Sequence, residues 1–212
     1  YEMQRSLVGS EMCIRDRKKP VVITFDDGYL SNYTLAYPIL QKYGMKATIF
    51  SIGVSFGKDH YKDTDYAMTP HFGAAEAAEM AGSGLISIQS HTYDMHQWPP
   101  YEDGSAAVRE NILQLPGESE EAYVEALTAD FTRSRAQLEA AAGRPVDVLA
   151  YPAGQYSTLA QVTLQNLGVH VTLSTNPGIN TVVKGLPQTL TAMLRFGVTE
   201  GLSPEALLEM IQ

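Results

Sequence analysis

The chain has 212 residues, 44% hydrophobic and 18% charged, with a net charge of −9 and one cysteine. That is enough for one large domain with a real core, and too apolar for a disordered chain. Excess acid with no Lys/Arg cluster argues against a nucleic-acid partner. A lone cysteine rules out a disulfide scaffold, and no window approaches the ~18 apolar residues of a membrane span.

Residues 5–17 (RSLVGSEMCIRDR) do not read as protein. LVGSEMCIRD resembles the in-frame translation of a transposase adapter used in sequencing libraries. Residues 1–17 are therefore expected to be a non-native N-terminal scar, with the domain at 18–212. The segment balances Glu2, Glu11 and Asp16 against Arg5, Arg15 and Arg17, so removing it leaves the charge unchanged. It also carries Cys13.

Residues 20–25 form a β-branched run that ends at Asp26-Asp27-Gly28, a strand and then a turn. Leu35, Ile39 and Leu40 predict a helix to Tyr43, stopped by Gly44. A strand is predicted at 46–52, an Ala-rich helix at 70–82 opened by Pro70, and a strand at 85–89 leading to His91. Residues 97–118 read as a surface excursion. Residues 118–142 read as a long amphipathic helix with no assigned chemistry. Strands at 146–151, 169–174 and 193–196 alternate with helices at 157–167 and 204–211. The alternation implies an α/β fold with a parallel sheet in one domain. Its length suits a distorted or incomplete (β/α) barrel of about seven strands better than a full eightfold one.

Three reactive groups fall where strands end, the edge on which parallel α/β folds build sites. Asp26 and Asp27 are adjacent carboxylates, so one can ligate a metal while the other accepts a proton. His91 and His96 flank a loop that can fold both imidazoles onto one ion. Two imidazoles and a carboxylate with an open position form a common hydrolytic zinc set. Tyr151-Pro152-Ala153-Gly154 carries small residues whose backbone N–H groups can face a ligand. Tyr93, Trp98 and Tyr101 could stack on sugar rings, and Asp94 could orient a ligand imidazole. His60 and His71 read as structural.

Together these motifs resemble the polysaccharide deacetylase family (NodB-homology domains, carbohydrate esterase family 4), over roughly residues 20–212. The spacing of SHTYDMH is similar to the poly-N-acetylglucosamine deacetylase branch. The resemblance implies a hydrolase that removes N-acetyl groups from an amino-sugar polysaccharide, with an acetylated glycan as its partner. It implies one divalent ion, zinc first with cobalt, nickel or manganese as alternatives, held by Asp27, His91 and His96. Asp26 would be the general base and Ala153 the backbone oxyanion donor. Tyr93, Trp98 and Tyr151 would contact substrate. An extracytoplasmic or cell-surface location is also implied, with no membrane span in this sequence.

Two departures stand out. The third motif lacks the family's Arg that orients the base, and Arg195 is the candidate replacement, expected beside Asp26. The late Leu-x-His that supplies a general acid is missing too, since His170 lies too early. Competing readings are an O-acetyl esterase or another C–N hydrolase on the same fold, or an inactive glycan-binding module.

Overall fold

Five short strands make one parallel sheet: β1 (Ile23–Phe25), β2 (Ala47–Ser51), β3 (Ile86–Ser90), β4 (Val148–Ala150) and β5 (Val171–Leu173). The computed structural model describes residues 20–102, 104 and 107–211, so the expected scar at 1–17 lies outside the described residues. The sheet follows chain order and curls into a half-barrel. A π turn (Asn32–Ala36) leads into α1 (Tyr37–Tyr43), followed by α2 (Ala74–Gly82), α3 (Glu120–Ala142), α4 (Thr158–Asn166) and α5 (Pro204–Met210). The chain is thus an α/β domain with an incomplete barrel.

Adjacent strand residues serve opposite faces. Ile49, Ile88 and Leu149 pack with Met80, Tyr123, Leu127, Phe131 and Leu138 against the helices. Phe50, Val148, Ala150, Val171 and Leu173 form a smaller cluster with Leu190 on the other face. Cover on both faces leaves every residue of β2 buried, Thr48 and Ser51 included.

The strand count is lower than the sequence suggests. Where a strand was predicted at 193–196, the described residues form one parallel bridge, Leu173 to Met193. The ladder stops because the Asn180 side chain takes both backbone groups of Leu194, accepting from its N–H and donating to its carbonyl, each at 2.8 Å. The helix predicted from residue 70 starts at Ala74. Pro70 and Phe72 instead pair with the first motif, through Leu30 N–H to Pro70 O and Phe72 N–H to Gly28 O.

The sheet is weakest between β3 and β4, which share the single register pair Ser90–Leu149. The buried Gln89 side chain spans the gap. Its Oε1 accepts from Asp147 N–H (3.1 Å) and Val148 N–H (3.0 Å), and its Nε2 donates to Pro145 O (3.2 Å). Backbone groups that a ladder would satisfy are satisfied by a side chain instead.

Candidate active site

The reactive groups follow β1, β3 and β4 directly, so the parallel sheet brings them to one edge. After β1, Gly28 N–H bonds back to Asp26 O at 2.9 Å in a three-residue turn, with Asp27 at φ 68. A left-handed Asp is an uncommon conformation of the kind that gathers at functional sites. Gly28 is at φ +84, and a Cβ there would meet Ser51 Oγ at 2.5 Å, so this turn requires glycine. The turn sends the two carboxylates different ways.

Asp27 faces the histidines. Its Oδ1 lies 3.5 Å from His91 Nε2 and 3.8 Å from His96 Nε2. One donor atom from each of the three residues falls within 4.8 Å of the others. His91 Nδ1 is 2.8 Å from Ala150 O, and His96 Nδ1 is 3.1 Å from Glu110 O. A carbonyl only accepts, so each Nδ1 donates there and each Nε2 is left facing Asp27. Burial pushes the His91 imidazole below its ordinary value, against the pull of Asp26 and Asp27, which keeps it neutral near pH 7. These residues fit a divalent cation with nitrogen and oxygen ligands. The sequence offered Asp94 as the partner of a ligand imidazole, but backbone carbonyls fill that role. Asp94 Oδ2 instead meets Lys62 Nζ at 3.1 Å.

Asp26 faces Arg195. The guanidinium donates from Nη1 to Oδ1 (2.7 Å) and from Nη2 to Oδ2 (2.8 Å), a bidentate fork across 169 residues of chain. Arg195 is itself fastened, with Nε donating to Ser174 O (2.8 Å) and Nη1 to Thr24 Oγ1 (3.2 Å). Burial works to raise the Asp26 carboxyl. The Arg195 hydrogen bonds, with the charges of His91 and Arg195, outweigh it and hold the group below its usual value.

Ala153 lies in a tight turn at φ 53, exposed between buried Pro152 and Gly154. The turn's hydrogen bonds are donated by Gly154 and Gln155, and neither uses the Ala153 N–H. Tyr151 is fully buried and stacked on Tyr156 at 4.9 Å, so its ring has no face for a substrate, contrary to expectation. Tyr93 is also committed elsewhere. Its ring lies under the Arg133 guanidinium at 3.9 Å, and Gly53 approaches so closely that a Cβ there would sit 2.4 Å from Tyr93 Cδ2. Trp98 is 59% exposed. His60 and His170 are exposed, while His71 is buried against Tyr29.

One site residue was missed. Asp130 on α3 accepts from Tyr93 N–H (2.8 Å) and Asp94 N–H (2.7 Å), one carboxylate oxygen each. It grips the loop between the two histidines, where Thr92 holds the left-handed φ of 70. Burial pushes its carboxyl up to about 6 despite those two hydrogen bonds.

A half-barrel of parallel strands with an acid–His–His cluster at its C-terminal edge defines an α/β protein built around one polar site. The sequence profile of the polysaccharide deacetylase family matches residues 14–172, and the chain belongs to that family. It is 32% identical over 209 residues to YxkH of Bacillus subtilis, covering 97% of this chain and 62% of that protein. It is 38% identical over 79 residues to the poly-β-1,6-N-acetyl-D-glucosamine N-deacetylase of Staphylococcus aureus, covering 37% of this chain and 26% of that enzyme. Among solved structures, IcaB from Ammonifex degensii aligns with 100% of this chain and 80% of its own, at 25% identity and a TM-score of 0.71. The chain therefore spans less than two thirds of the length of these two curated relatives.

Proposed function

We propose that the chain is a metal-dependent N-deacetylase acting on an amino-sugar polysaccharide and releasing acetate. The observation that carries this reading is the division of labour in the first motif. Asp27 converges with the Nε2 atoms of two imidazoles, while its neighbour Asp26 is turned away and held by a guanidinium fork. The family membership and the amino-sugar deacetylase among the relatives support the substrate class.

Asp27, His91 and His96 would hold the cation, with zinc best suited to two imidazoles, a carboxylate and an open position. A bound cation supplies Lewis acidity, polarising the acetamide carbonyl and making water acidic enough to yield its proton near neutral pH. Asp26 takes that proton as the water oxygen adds to the acetamide carbon. The Arg195 fork occupies only part of the carboxylate's accepting capacity, so a lone pair remains for the proton. The Ala153 N–H donates to the oxygen that becomes negative. The C–N bond then breaks, acetate forms, and the departing nitrogen takes the proton held by Asp26, leaving as a free amine and regenerating the carboxylate. An extracytoplasmic location goes with such a polymer. Among the described residues no helix is long and apolar enough to cross a membrane.

The discriminating experiment is a substrate panel for the metal-loaded protein. We expect acetate from N-acetylglucosamine oligomers and little from O-acetylated xylan. Hydrolysis confined to O-acetyl esters would replace the amide reading with the esterase reading.

A further inference from the structure

The sequence presents residues 97–118 as a surface excursion, yet its far end turns back onto the histidines. Gln97 N–H donates to Arg109 O at 2.9 Å, and Arg109 N–H donates to Gln97 Oε1 at 2.6 Å. The next residue, Glu110, supplies the carbonyl that accepts from His96 Nδ1 at 3.1 Å. The imidazole is thus oriented by backbone 14 residues further along the chain. Residues 107–118 form neither helix nor strand. A carbonyl on such a segment can aim a ligand only if the segment is itself held.

Two residues hold it. Ile112 is fully buried, and its carbonyl accepts the Tyr123 hydroxyl, which seats the segment against α3. The second is Arg109. Its Nη2 donates to Glu118 Oε1, while Glu118 Oε2 accepts from Leu115 N–H at 3.0 Å. The two side chains are only 15% and 12% exposed, so water and salt screen this pair less than an ordinary surface ion pair. The pair closes residues 109–118 into a loop, with Glu110 at its first step. The Arg109 charge also reaches α3, where burial pushes the Asp130 carboxyl up and Arg109 acts against it. Asp130 grips the histidine loop at Tyr93 and Asp94, and Arg109 meets it at Gln97.

We propose that Arg109 is a positioning residue: paired with Glu118, it fixes the Glu110 carbonyl and so keeps His96 Nε2 aimed at the cation site. This inference rests on the metal-dependent reading and adds that the ligand geometry is set from outside the Asp27–His91–His96 set. Partners that orient a ligand imidazole account for about 10–100-fold in metal affinity.

The test is zinc binding by chelator competition, without substrate, together with the visible spectrum of cobalt-loaded protein, which reports ligand geometry. We expect Arg109→Met to weaken zinc binding about tenfold or more and to alter the cobalt spectrum. Arg109→Lys should recover most of the affinity, because an ammonium can still pair with Glu118. Glu118→Gln keeps an acceptor for Leu115 N–H but loses the charge, and should weaken zinc binding in the same direction. Because the two act as a pair, the double variant should lose no more affinity than Arg109→Met alone, and additive losses would overturn the pairing. Parental zinc affinity and an unchanged cobalt spectrum in folded Arg109→Met, even with a lowered melting temperature, overturn the proposal and spare the deacetylase reading. Should Arg109→Met fail to fold, parental zinc affinity in Glu118→Gln overturns it equally. A parent protein that binds no zinc overturns the metal site itself and the proposal with it.

Discussion

Asp26 and Asp27 are adjacent and chemically alike, yet their surroundings separate them. Asp26→Asn should retain the metal, because its carboxylate meets Arg195 rather than the histidines, while turnover falls ~10²–10⁴-fold, the range for loss of a general base. Asp27→Asn should lose metal, and mass spectrometry of the two purified variants distinguishes them; metal lost from Asp26→Asn alone would reverse the assignment. Asp130 yields a second test. An Asn there offers one carbonyl and an NH₂ to two backbone N–H groups, so Asp130→Asn should weaken zinc binding at least about tenfold in a chelator competition. Its titration has a definite sign. The folded value of about 6 lies above an unfolded value of ~3.9, so the contribution to stability is full below pH ~4 and lost as pH rises through about 6. Asp94 pushes the same way and Arg109 opposes it. Urea melts across that window should show a flatter pH slope for Asp130→Asn than for the parent. The motifs after β1, β3 and β4 were legible because each packs its chemistry into a few consecutive residues. Arg195 was reachable only as the answer to a missing Arg, because its partner is 169 residues away. Asp130 was invisible: on a long amphipathic helix it reads as one more solvated acid, and only the fold brings the histidine loop down onto it.

At the scale of elements, alternation of strands and helices was readable throughout, but the ends and the count were not. Asn180 terminating the last pairing after one bridge, and Pro70 to Phe72 pairing with the first motif before α2 begins, are tertiary events without a local signature. Gln89 belongs to the same class. A glutamine in a buried strand looks like an interruption, whereas here it replaces the hydrogen bonds that β3 and β4 do not make with each other. Gln89→Met, similar in volume, removes the acceptor of two backbone N–H groups and should cost about 3 kcal/mol in denaturant unfolding. A loss of a few tenths of a kcal/mol would mean that the strands close the gap without it. Ser119 and Ser157 cap α3 and α4, each accepting from the N–H three residues on, at 3.2 and 3.1 Å.

For the whole molecule, the half-barrel brings the Asp27–His91–His96 cluster and the Asp26–Arg195 fork to one edge of the sheet. The central claim is that a bound divalent cation and Asp26 together hydrolyse the acetamide of an amino-sugar. The most direct measurement is acetate released from an N-acetylglucosamine oligomer by four preparations: as purified, chelator-stripped, stripped and reloaded with zinc, and zinc-loaded Asp26→Asn. The account predicts release from the first and third, loss in the second, and a fall of ~10²-fold or more in the fourth. Release that survives complete stripping, or that Asp26→Asn matches at full zinc occupancy, would contradict it.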